Sequence, residues 1–175
     1  MLKPIKARAF QASGARFAIV ASRYNERYVD AMVAAAKAEL ERAGAGEVRV
    51  VRVPGAYEIP IVAARLARMW ASSGASRLTP HASQVPHHAA FSVIICLGVI
   101  LRGETVHAAH IGEAVSRALM EIQLQYEVPV IHEVLLLENE AQARARCLDP
   151  KRNRGREAAQ TALAMAQVMA SLRGT

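Results

Sequence analysis

Residues 91–126 read FSVIICLGVILRGETVHAAHIGEAVSRALMEIQLQY. The apolar run 91–97 has the length and composition of a buried strand, and an alanine-rich helical pattern follows over 108–126. Between them Arg102, Gly103, Glu104, Thr105 and His107 share a short connection. A buried strand feeding a helix through a short loop predicts a parallel α/β sheet, whose ligands sit beyond the carboxyl ends of the strands. Glycine lets backbone approach a ligand closely. An imidazole beside that loop can move protons. The stretch therefore reads as the place where a small anionic molecule is bound and transformed.

Outward from this stretch the alternation continues. Residues 16–21 (RFAIVA) read as a buried strand, and 25–43 as a helix with Val29, Met32, Val33, Ala36 and Leu40 on one face, stopped by Gly44 and Gly46. Residues 48–53 form a second strand before the turn signal Pro54-Gly55. A helix is predicted over 59–70, with Pro60 in its first turn, where the missing N–H does little harm. Residues 129–137 read as the fourth strand, and 139–146 and 155–172 as helices. The pattern predicts one α/β domain over 1–175: a four-stranded parallel sheet flanked by helices in three layers. Only 71–90 breaks it. That stretch, rich in Ser, Gly, Thr, Pro and His, reads as a surface insertion joining a helix to the start of a strand. His81, His87 and His88 fall inside it without a carboxylate or cysteine, so they read as solvated loop residues and no metal is expected.

At 175 residues the chain can bury a sizeable core. Its apolar runs are too short to cross a bilayer, and residues 1–15 lack the apolar core of a secretory signal. Cys96 and Cys147 have neither zinc spacing nor a disulfide framework, so a cytoplasmic setting is expected. The formal net charge of +7 fits phosphorylated metabolites or an acidic partner. Aromatic residues are only 5% of the chain and no stacking platform or recognition motif is present, which argues against nucleic acid.

Three further segments lie where strands end. In Ser22-Arg-Tyr-Asn25 the Tyr24 ring could meet a planar heterocycle or simply cover the sheet edge. In Val53-Pro-Gly-Ala-Tyr-Glu-Ile-Pro60 the backbone around Ala56 is free for a polar ligand. Glu58 there either stabilises a helix start or accepts hydrogen bonds from sugar-like hydroxyls. Thr105 and the N–H groups before the helix make a natural phosphate seat. Arg102 suits an ion pair that ties loops together. Arg146 and the run Lys151-Arg-Asn-Arg154 follow the fourth strand, as a solvated face or as counter-charge for a phosphate.

Taken together, SRYN at 22–25, PGAYEIP at 54–60, LGVILRGETVH at 97–107, PVI at 129–131 and NRG at 153–155 resemble the 6,7-dimethyl-8-ribityllumazine synthase family of riboflavin biosynthesis, in its order and near its spacing. The resemblance spans about residues 16–169, apart from 71–90. It implies a flavodoxin-like sheet and the condensation of 5-amino-6-(ribitylamino)uracil with 3,4-dihydroxy-2-butanone 4-phosphate, a transferase reaction giving 6,7-dimethyl-8-ribityllumazine and phosphate. By resemblance, Tyr24 stacks on the pyrimidine, Ala56, Tyr57 and Glu58 bind the ribityl chain, and Val99, Ile100 and Leu101 pair the uracil through main-chain groups. Glu104 and Thr105 hold the phosphate, helped by Arg146 and by Arg154, which stands where a lysine is common. His107 transfers protons. His132 stands where the family places an aromatic ring over the pyrimidine of a neighbouring subunit. No cofactor is implied. The implied partners are further copies of the chain, in homo-oligomers built from pentamers with sites between subunits, and riboflavin synthase.

Rival readings are a non-catalytic lumazine or flavin carrier on the same scaffold, a basic interaction protein acting through residues 151–156, and another flavodoxin-like enzyme acting on phosphate esters.

Overall fold

The computed structural model describes residues 12, 14–74 and 91–172. Its elements are β1 (Arg16–Ser22), α1 (Glu26–Arg42), β2 (Glu47–Val53), α2 (Ile59–Gly74), β3 (Val93–Leu101), α3 (His107–Tyr126), β4 (Val130–Leu137), α4 (Glu140–Ala143) and α5 (Arg154–Ser171). A single 3₁₀ turn, Ala56–Glu58, leads into α2, and a wide π turn, Arg144–Leu148, follows α4.

The strands form one four-stranded sheet in the order β2-β1-β3-β4, and every pairing is parallel. Parallel strands joined by helical crossovers are covered on both faces, so their side chains are apolar in both directions. Phe17, Ile19, Ile95 and Leu97 point to the face packed by α1 and α5, where they meet Val29, Met32 and Leu163. Val20, Ile94 and Cys96 point to the opposite face, where Ile59, Val115 and Leu119 cover them from α2 and α3. The three predicted layers are thus present. No helix among the described residues is long and apolar enough to cross a membrane.

Two boundaries differ from the sequence reading by four residues. Strand β3 does not stop at Leu97 but continues to Leu101. Gly98 looks like a breaker, yet it lies in a crowded register position: a Cβ there would come within 3.1 Å of Val134 Cγ1 and 3.3 Å of Ile59 Cδ1. Helix α2 continues past residue 70 to Gly74, so the first part of the predicted insertion is helix. The remainder, with His81, His87 and His88, lies outside the described residues.

Helix α5 is held hard against α1. A Cβ on Gly155 would overlap the Met32 carbonyl, so only glycine permits this approach. Asn153 caps α5, accepting the N–H groups of Gly155 (2.9 Å) and Arg156 (3.3 Å), while its amide donates to Ala31 O and Cys147 O.

Candidate active site

The order β2-β1-β3-β4 places the point where the strand order reverses between β1 and β3, and open α/β sheets bind ligands at that crevice. The register sharpens this. Pairing of β1 with β3 ends at Ala21↔Leu97, whereas pairing of β3 with β4 runs on to Leu101↔Leu137. Residues 98–101 therefore overhang β1, with one backbone edge turned towards the loops that follow β1 and β2.

Above this ledge lies a cavity of about 820 Å³. The loop after β1 contributes Tyr24 and Asn25, the loop after β2 contributes Ala56, Tyr57 and Glu58, and the ledge contributes Val99, Ile100 and Leu101. Thr105 and His107 close it from the loop and first turn of α3. Those residues were singled out separately along the sequence, and folding brings them to one concave surface.

The loops are fixed by backbone bonds. Arg23 N–H donates to Val53 O (2.8 Å) and Tyr24 N–H to Pro54 O (3.2 Å). Asn25 adopts the left-handed conformation (φ 57°), which asparagine tolerates better than most residues, and its amide donates to Val99 O at 2.9 Å. One ledge carbonyl is therefore already engaged. A Cβ on Gly55 would come within 3.2 Å of the Tyr24 ring, so glycine lets that ring, 72% exposed, lie over the loop.

Glu58 fulfils the first of its two readings: its Oε2 accepts the Gly55 N–H at 2.8 Å and closes the turn. Its Oε1 makes no hydrogen bond among the described residues, so the second reading stays available. Thr105 Oγ1 accepts the His107 N–H at 3.4 Å, a long bond that barely restrains the helix start. Arg102 forms an exposed pair with Glu138 (3.0 Å), tying the ends of β3 and β4 together.

Four predicted residues do not line the cavity. Glu104 is exposed on the loop. His132 lies on edge strand β4 against α3, within a chain of hydrogen bonds. Val134 N–H donates to its Nδ1 (3.4 Å), its Nε2 is 2.9 Å from Ser116 Oγ, and that hydroxyl donates to Gly112 O (2.7 Å). The Val134 donor assigns the proton to Nε2, and loss of hydration against α3 lowers the pKa of the ring. Arg146 is exposed in the wide turn. Arg154 is turned inward: its Nη2 and Nε grip Glu133 at 2.6 and 3.0 Å, and its Nη1 bonds Glu157. Burial raises the pKa of Glu133, although Arg154 pulls it the other way. Among the described residues no Lys or Arg lines the cavity.

Two residues had no motif to mark them. Glu133 sits at an inward-facing strand position that periodicity assigns to an apolar side chain, so only its violation of that pattern could have flagged it. His110 lines the cavity one turn after His107, and the helical i, i+3 spacing was the available signal. Neither cysteine suits a nucleophile: both are buried, and burial pushes the Cys147 thiol up to about 11. Among the described residues no group of three or more His, Cys, Asp or Glu side chains could hold a metal ion.

The family model described as 6,7-dimethyl-8-ribityllumazine synthase matches residues 14–170. A protein of that name from Stenotrophomonas maltophilia (strain R551-3) is 39% identical over 160 residues, covering 90% of this chain and 91% of its own. One from Xanthomonas euvesicatoria pv. vesicatoria (strain 85-10) is 41% identical over 157 residues, covering 89% and 90%. One from Xanthomonas oryzae pv. oryzae (strain PXO99A) is 40% identical over the same length.

Proposed function

Because this chain belongs to the 6,7-dimethyl-8-ribityllumazine synthase family, we propose that its cavity is where 5-amino-6-(ribitylamino)uracil meets 3,4-dihydroxy-2-butanone 4-phosphate. The activity is a transferase condensation in riboflavin biosynthesis that yields 6,7-dimethyl-8-ribityllumazine and phosphate. The observation that carries the reading of the site is the cavity at the β1–β3 crevice. It combines an exposed aromatic ring, a half-engaged carboxylate, a strand edge and a helix start bearing an imidazole.

Each piece has a task. Tyr24 stacks on the pyrimidine, and the backbone edge of Val99, Ile100 and Leu101 pairs with its polar atoms. Ala56, Tyr57 and Glu58 take the ribityl hydroxyls, with Glu58 Oε1 as an acceptor. Thr105 and the main chain at Glu104 seat the phosphate at the start of α3, where unpaired N–H groups favour an anion. His107 moves protons as the amine condenses with the ketone, water departs and phosphate leaves. The chemistry calls for orientation and proton transfer, which the pocket's own side chains supply.

A phosphate at that seat finds no lysine or arginine among the described residues of the cavity wall. We therefore assign its counter-charge to Arg146 of an adjacent copy, and the cover over the pyrimidine to that copy's His132; Arg154 stays with Glu133 and Glu157. Exposed Met120 and Leu124 on α3 and Leu136 on β4 give such a contact an apolar surface. Pentamer-based assembly, a single domain, a cytoplasmic setting and riboflavin synthase as partner belong to the same proposal.

The test is to incubate purified protein with both substrates, follow lumazine by absorbance and fluorescence, and measure particle size by light scattering on the same sample. Lumazine formed by a multimer supports the reading. Tight binding of ribityl-pyrimidines without turnover would make the chain a carrier instead.

A further inference from the structure

We infer that His110 is a second proton-transfer residue of this cavity, acting as partner to His107; the inference rests on the condensation proposed above. Both imidazoles line the cavity from the first two turns of α3. Three positions apart on a helix, their Cβ atoms lie roughly 5–6 Å apart on one face. That spacing lets the two rings reach opposite ends of one bond. His110 is exposed, its N–H is spent on Val106 O (3.2 Å), and neither ring makes a hydrogen bond among the described residues.

The reaction needs both a donor and an acceptor. When the carbinolamine loses water, the departing hydroxyl takes one proton and its C–O bond breaks. The nitrogen lone pair forms C=N, and the nitrogen's own proton passes to a base. One group gives a proton as the other receives one, so the total is unchanged. A single imidazole cannot do both at once. The remaining candidates are poorly placed: Glu58 has one oxygen closing a turn, and the phenols of Tyr24 and Tyr57 are weak acceptors near neutrality. Among the described residues no lysine or arginine lines the cavity. His110 completes the pair.

The test is His110→Ala and His110→Gln, assayed for lumazine formation beside the wild-type protein. His110→Ala should lower kcat roughly 10- to 100-fold, keep KM for the ribityl substrate within about twofold, and regain rate when imidazole is added to the buffer. His110→Gln, which fills the space but cannot titrate, should be equally slow and gain nothing from imidazole. A wild-type rate in either variant, or a deficit in His110→Ala that imidazole leaves unchanged, overturns the inference. An inactive wild-type protein would instead overturn the reading of the whole site, so the two failures are distinguishable.

Discussion

Arg154→Met should be the substitution whose cost depends most clearly on pH. Glu133 is 7% exposed and faces the α1/α5 side of the sheet, where its neighbours are apolar. Its charge is met by two hydrogen bonds from one guanidinium, at 2.6 and 3.0 Å. Removing the arginine leaves a buried carboxylate with Glu157, itself an Arg154 partner, adding to its repulsion. Breaking one side of a buried pair costs about 3–5 kcal/mol, so this variant should lose that much near pH 7.5. The loss should shrink in acid. Burial already holds the Glu133 pKa above its ordinary 4.5, and deleting Arg154 removes an influence that lowers it. A carboxyl whose folded pKa exceeds its unfolded value keeps its stabilising proton below the unfolded pKa. It loses that stability as pH rises through the folded one. Urea unfolding at pH 7.5 and pH 5, at one protein concentration because assembly shifts apparent stability, reads the difference. Glu133→Leu combined with Arg154→Met should recover most of the loss at pH 7.5, since well-packed apolar replacements of buried pairs are often neutral or better. Equal losses at the two pH values, or no recovery in the double variant, would refute the argument.

Gly155→Ala would place a Cβ 2.6 Å from Met32 Cα. Prising α5 off α1 by about 1 Å should cost about 3 kcal/mol, seen as a lower unfolding midpoint. Ser22→Ala removes a fully buried hydroxyl with no hydrogen-bond partner among the described residues, so thermal unfolding should show unchanged or improved stability, by about 1 kcal/mol. His107→Ala should slow lumazine formation on the order of 10²-fold or less while calorimetry finds ribityl-substrate binding largely intact. Arg146→Ala should raise KM for the butanone phosphate and leave KM for the other substrate unchanged in steady-state kinetics.

The alternation of strands and helices was legible because fully buried strands such as 93–97 and one-sided helices such as α1 carry their periodicity in the chain itself. The apolar run legible in the sequence ends at Leu97, just before Gly98, whose reason for being glycine lies across space at Val134 and Ile59. The motif peptides at 22–25, 54–60 and 97–107 named most of the cavity wall because each lies where a strand ends, and parallel order brings those ends together. His110 escaped because it belongs to no such peptide. The inward turn of Arg154 was hidden for a different reason. Its partner Glu133 sits 21 positions earlier, where strand alternation asks for an apolar residue.

The ledge formed where β3 outruns β1 has a consequence for how this protein tolerates change. Val99 and Leu101 send their side chains into one core and Ile100 packs against the other, so the atoms offered to a guest are amide and carbonyl groups that all residue types except proline share. Substitutions among aliphatic residues at these three positions alter packing while leaving the presented atoms the same. Selectivity for the guest is thus written in the path of the chain, and drift in these letters need not erase it.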